Sequence, residues 1–158
     1  MKSRLSLVLL AVVLEIAFAA SAVSQHHRDS GTKPQRIKIY FYHDPGEYID
    51  LSPVTRLIRS ASPARAAINA LLAGPTRAEE KRGFTSLSSA DEFAIGKLSI
   101  KDGTATINFV ASRRWHGWAG DLGPVRFKKA VELTLMQFPT VKHVVVSLNG
   151  NTNFDSEQ

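Results

Sequence analysis

Between residues 36 and 42 the odd positions are apolar, Ile37, Ile39 and Phe41, and the even ones carry Lys38, Tyr40 and Tyr42. That period of two predicts a strand buried on one face. The run His43-Asp44-Pro45-Gly46 closes it in a turn. Residues 48–57 keep apolar side chains at Ile49, Leu51, Val54 and Leu57, but Pro53 cannot donate to a ladder, so a short extended segment or edge strand is expected. The period then becomes helical. Ala64, Ala67, Ile68, Leu71 and Leu72 share one face; the Ser62 hydroxyl can cap the start, Pro63 suits the first turn, and Gly74-Pro75 ends the helix. Thr76 and Glu79 have the spacing of a capping box for a further short helix or turn, released at Gly83.

Alternation returns over residues 93–110. Leu98 and Ile100 precede Asp102-Gly103, and Ala105, Ile107 and Phe109 follow it, which predicts a hairpin. A second long helix is expected over 124–138, with Phe127, Ala130, Val131, Thr134, Leu135 and Phe138 facing the core. Pro139 stops it, and Val144, Val146 and Leu148 form a last strand that ends at Asn149-Gly150. The order β-α-β-β-α-β, with an optional short strand near residue 50, predicts an α/β (α+β) fold: one compact domain with helices packed on a mixed or antiparallel sheet.

The first residues obey another rule. Lys2 and Arg4 precede an apolar run over 5–14, and Ala17, Ala19, Ala20 and Ala22 follow it, the order of parts in a secretory signal. Glu15 interrupts the run, which is shorter than the roughly 20 apolar residues of a membrane span, so an uncleaved anchor is the alternative. The division expected is a signal peptide at 1–22, a polar flexible lead-in at 23–35, the folded body at 36–150 and a surface tail at 151–158. Localisation is then extracytoplasmic, either periplasmic or secreted, without a permanent transmembrane anchor.

The chain has no cysteine, which excludes disulfides, thiol catalysis and lipid attachment through an N-terminal cysteine. Its net charge is +6, and losing Lys2, Arg4 and Glu15 with the leader leaves +5. The basic residues are scattered, as on an ordinary solubilising surface, though they also suit an anionic wall polymer, a membrane surface or an acidic envelope protein. No helix-turn-helix, zinc finger or RNA-binding strand motif supports nucleic acid as a partner.

Catalytic chemistry has little to stand on. The histidines, His26, His27, His43, His116 and His143, lack metal-motif spacing, and Asp44, Glu47 and Asp50 do not reproduce a calcium loop, so no metal or cofactor is expected. No Gly-x-Ser-x-Gly elbow marks a nucleophile, spacing singles out no pair of sugar-hydrolysing carboxylates, and Gly117, Gly120 and Gly123 lack the context of a phosphate loop. The most unusual composition is Arg113-Arg114-Trp115-His116-Gly117-Trp118, between the hairpin and the second long helix. Its glycines can orient aromatic rings while its arginines meet polar or anionic groups. Two readings stay open: a contact loop for a sugar polymer, peptide or protein, or a lid whose tryptophans fold onto the core. Arg56 likewise has two: internal pairing with Asp50 or the Asp91-Glu92 region, or contact with an acidic partner.

Four segments in order carry a resemblance over residues 36–150: LSPVTR from 51, AINALLAGPT from 67, LTLMQFP from 133 and VVVSLNG from 144. Together they resemble the GerMN family of sporulation and spore-germination proteins. The resemblance implies a bacterial envelope-associated α/β module connected with sporulation, germination or wall remodelling, and implies no known catalytic mechanism. Family members often have a lipoprotein leader, for which this chain lacks the cysteine, and Ser88-Ser89-Ala90-Asp91 departs from the family's proline- and glycine-containing passage. Leu71, Leu72, Gly74, Pro75 and Gly150 read as core anchors and chain punctuation.

The expected function is therefore a noncatalytic binding or assembly module of the cell wall or envelope, with Arg113, Arg114, Trp115, His116, Trp118 and Arg56 as contact candidates. An enzyme or enzyme accessory acting on wall polymer, and a purely structural envelope protein, are the alternatives. Intact-mass measurement on protein from its native host should find a species beginning near Val23, with cleavage after Ala22; cleavage after Ala19 is the rival. A full-length species extracted only with membranes would establish the anchor instead.

Overall fold

Ile37, Ile39 and Phe41 lie at 0–1% exposure, so the alternation of the first strand is a true inside-outside pattern. The computed structural model describes residues 33–43, 50–88, 91–118, 120 and 122–155. The leader, His26, His27, Asp44 and Glu47 lie outside the described residues. Strand β1 (Gln35–His43) pairs antiparallel with β2 (Asp50–Ile58) along its whole length. β2 is longer than expected, but it lies at the edge of its sheet, where Pro53, opposite Tyr40, withholds no hydrogen bond from an inner ladder.

Helix α1 (Pro63–Leu72) buries Ala64, Ala67, Ile68, Leu71 and Leu72, the same five residues as the predicted face. The expected Ser62 cap does not form. Ser62 sits at φ −125° and ψ 71°, away from the extended capping conformation, and its side chain makes no cap hydrogen bond. Its carbonyl still accepts from the Ala66 N–H at 3.0 Å. Pro63, with φ already restricted and no N–H to satisfy, supplies the start. Gly74 leaves the helix at φ +78°, in the left-handed region that favours glycine. Helix α2 (Arg77–Glu80) follows with the full capping box: Glu79 N–H donates to Thr76 Oγ1, and Thr76 N–H donates to Glu79 Oε2 at 2.7 Å.

The two-residue strand β3 (Phe84–Thr85) then returns to the far end of β1, an element too short to leave a period in the sequence. Strands β4 (Phe93–Lys101) and β5 (Thr104–Ala111) form the expected hairpin. Asp102 at φ 51° and Gly103 at φ 79° make its turn, the pair of positive angles that favours Asp-Gly. Helix α3 (Leu122–Met136) carries the chain back to β6 (His143–Leu148), which lies parallel to β5. Parallel neighbours need such a crossover. The helix begins and ends two residues before the predicted bounds, and Phe138 reaches the core from the turn beyond it.

The strands form two sheets instead of one: an antiparallel β2-β1-β3 and a mixed β4-β5-β6. Periodicity gives the face of a strand but not its neighbour. The sheets share one core, because α3 packs on β1 and β6 while α1 packs on β1, β4 and α3. Past Gly150 the chain does not leave the body at once as a tail. Asn151 bridges Leu148, Phe154 packs against the core, and Asp155 pairs with Lys128 at 2.9 Å. No helix among the described residues is long and apolar enough to cross a membrane.

Leu71, 2% exposed, should lose about 2–5 kcal/mol of stability on truncation to Ala. Leu57, 63% exposed on the edge strand, should lose no more than about 0.5 kcal/mol from the same change. Chemical denaturation of the two variants checks the ranking, and equal midpoints would remove Leu71 from the core.

Candidate binding site

The segment after β5 is shaped by short-range hydrogen bonds. Ser112 N–H donates to the Glu92 carbonyl at 2.8 Å, Trp115 N–H to the Ser112 carbonyl at 3.1 Å, and Arg114 N–H to Ser112 Oγ at 3.2 Å. Gly117 and Gly120, at φ 102° and 88°, then turn the chain toward α3 through angles that cost other residues strain. The result folds both tryptophans partly inward.

The two rings are not equivalent. Trp118 stacks on Phe93 at 5.3 Å and on Phe154 at 6.2 Å, tilts against Phe127 at 5.3 Å, and meets Trp115 edge-on at 5.7 Å. A side chain at Gly123 would come within 3.2 Å of the Trp118 Cβ, so the first turn of α3 closes on it as well. Trp115 touches only Phe93 and Trp118 among these rings. Trp118 is therefore packed mainly against the core, whereas Trp115 makes fewer ring contacts. Arg113, Arg114 and His116 are exposed beside it. Arg114 reaches Asp91 at 3.5 Å, but both side chains are about four-fifths in water, where such a pair contributes little.

A cleft of about 450 Å³ opens between this loop and the end of α1. Its volume falls within the range of small-molecule sites. Trp115, Gly117 and Trp118 form one wall, Ala73, Gly74 and Pro75 another, and Glu80, Ser86, Leu87, Ser88 and Glu92 complete it. The lining holds two carboxylates and no Lys, Arg or His, so the loop's cationic residues stand outside the cleft. Such a lining can stack a ring on an indole and accept hydrogen bonds from hydroxyl or amine groups. Sequence reasoning found the tryptophans but missed Glu80, Glu92 and Ser86, which lie far from them along the chain. Phe154 was missed as well, inside a segment expected to be a surface tail, although a lone large aromatic in a polar terminus is a signal that could have marked it.

Arg56 stands apart from the loop. Its pairing is internal, but with Glu79 instead of Asp50 or the Asp91-Glu92 region. Nε and Nη2 donate to the two carboxylate oxygens of Glu79, Nη1 donates to the Ala70 carbonyl at 3.2 Å, and Nη2 to that of Gly74 at 2.9 Å. The guanidinium also lies 5.3 Å over the Phe41 ring. The expectation failed because Asp50 and Arg56 are on one strand, and because Glu79 is brought near only by the capping box. Its other partners lie across the cleft's foundations. Among the described residues, no three His, Asp or Glu side chains gather as metal ligands.

A family model described as sporulation and spore germination matches residues 38–154. The chain belongs to the GerMN family. Its fold matches the tandem GerMN domains of the sporulation protein GerM from Bacillus subtilis, with a TM-score of 0.58 and 27% identity over 75% of this chain. The matched region spans only 40% of that tandem structure. The first GerMN domain of the same protein gives a TM-score of 0.57 and 23% identity, covering 74% of this chain and 84% of that one. No curated protein matches the chain in a sequence search. The aromatic loop and the Arg56–Glu79 pair both lie within the matched residues of this chain.

Burial raises the cost of ionising Glu79, but hydrogen bonds from Arg56 and from Thr76 outweigh it and hold the carboxyl below its ordinary value. A folded value below the unfolded one, about 4.3, means that the stabilisation is complete above that pH and lost as pH falls through the folded value. Thermal unfolding between about pH 6 and pH 3 should therefore show an acid-dependent loss that is reduced in Glu79→Gln. At neutral pH, Arg56→Ala should cost about 3–5 kcal/mol by leaving a buried carboxylate unpaired. A cost near zero would show the pair to be incidental.

Proposed function

We propose that this GerMN domain is a noncatalytic binding or assembly module of the bacterial cell envelope, exported from the cytoplasm and connected with sporulation, germination or wall remodelling. The observation that carries the reading is the cleft walled by Trp115 and Trp118, on a loop that also exposes Arg113, Arg114 and His116 outside it. Trp115 offers a stacking surface, and the arginines offer planar donors to an envelope protein or anionic wall polymer. The leader's charged start, apolar run and small-residue exit support export. Family membership supports the association with spore formation and germination.

One observation favours a second reading. Glu80 and Glu92 line the same cleft, and paired carboxylates flanking a bound sugar are the working groups of most glycoside hydrolases. Incubation of the exported protein with purified wall polymer, followed by product analysis and a binding assay, separates the two. Binding without products supports the module, whereas released sugars that disappear in both Glu80→Gln and Glu92→Gln would establish the enzyme.

For the binding reading, Trp115→Ala should weaken affinity for an identified envelope partner while leaving the domain folded. Arg114→Ala should weaken it chiefly at low salt, since both Arg114 and its contacts are exposed to screening. Trp118→Ala should lower the unfolding temperature more than Trp115→Ala, because more of its surface is packed. Affinity at two salt concentrations, with circular dichroism and thermal unfolding, reads all three. Unchanged affinity in folded Trp115→Ala and Arg114→Ala would reject this surface.

A further inference from the structure

A second concavity, sharing no residue with the tryptophan-walled cleft, runs between the outward face of β1 and the last turns of α3. It is a groove of about 680 Å³. Tyr40, Leu133 and Met136 supply its apolar surface, and Met136 is 52% exposed. Arg36 and Lys38 supply its charge, and no carboxylate lines it. The even positions of β1 that present these side chains lie opposite Leu57, Thr55 and Pro53 of β2, which extends the face with an exposed leucine and a proline.

The backbone there is closed to strand addition at its centre. Gln137 Oε1 accepts from the Lys38 N–H at 2.7 Å, and Gln137 Nε2 donates to the Lys38 carbonyl at 2.7 Å. One side chain occupies the two main-chain groups that an incoming strand would need. An occupant must therefore be read by side-chain contact: apolar groups against Tyr40, Leu133 and Met136, and negative charge against Arg36 and Lys38. Tyr, Met and Arg are the residue types that binding surfaces favour over Lys, Glu and Ser, and contacts of opposite charge steer encounter.

We infer that this groove docks an acidic, leucine-type segment of a partner protein, held by its side chains. Charge complementarity selects this occupant over a two-fold pairing of the groove with itself, which would bring Arg36 and Lys38 against their own like. The inference is independent of the Trp115 reading, and failure of either leaves the other standing.

The test uses the full chain and a fluorescent synthetic peptide that alternates Glu and Leu, with a Lys-Leu peptide as its charge-reversed counterpart. Anisotropy should show binding of the first and not of the second, weakening as salt is raised. Lys38→Glu should reduce that affinity by about tenfold, and Met136→Ala should reduce it severalfold at all salt concentrations. Lys97→Glu, an equal charge change at an exposed position of β4, should leave it unchanged. Equal binding of both peptides, or equal effects of Lys38→Glu and Lys97→Glu, would overturn the proposal. So would preferential capture of phosphatidylglycerol vesicles, or sedimentation showing a dimer that Met136→Ala dissociates.

Discussion

Arg56 satisfies groups contributed by several separate parts of the chain. Its guanidinium donates to both Glu79 oxygens and to the carbonyls of Ala70 and Gly74, while its flat face covers Phe41. Helix ends leave carbonyls without partners, and burying them unsatisfied is costly. Arg56, reaching across from β2, supplies those partners at the end of α1. Glu79 in turn has two tasks, since the carboxylate that neutralises Arg56 also accepts the Thr76 N–H and so starts α2. The Gly74-Pro75 wall of the cleft is held in place through this arrangement. Remove the cation, and the carboxylate remains buried with one partner; remove the carboxylate, and the counter-ion and one of the two capping-box bonds are lost.

The parts of this structure that were legible in sequence are those governed by period. Ile37, Ile39 and Phe41, and the five buried residues of α1, follow from spacing alone because burial acts on a face. The Asp102-Gly103 turn was legible because few residue pairs accept two positive φ angles. Partition into two sheets was not, since the pairing of β3 with β1 is fixed by tertiary contact over two residues. The partner of Arg56 was missed for a related reason: it lies 23 residues away and is presented by a local capping motif. At the candidate site the aromatic loop stood out by composition, but the carboxylates opposite it lie on other segments that carry no distinctive pattern.

Charge is distributed unevenly around this basic protein. The aromatic cleft is lined by Glu80 and Glu92, whereas the groove beside α3 is lined by Arg36 and Lys38. A net charge of +6 thus says little about what either concavity prefers. The seam of rings running from Phe109 through Phe127 and Phe93 to Trp118 links the core directly to the first of them. A contact that shifts Trp115 would therefore press on a densely packed neighbour.

Pro53 has a consequence for how such domains can be crowded together. It interrupts the outer rim of the first sheet, and the irregularity at Gly96, where an added Cβ would lie 2.8 Å from Val110 Cγ2, bends an outer rim of the second. Unpaired strand rims recruit one another when copies are held at high local density, as on a wall or in a tandem array. Both interruptions deny a neighbouring copy a straight run of main-chain partners. Along these two rims a neighbouring copy would meet a break before it could extend either sheet.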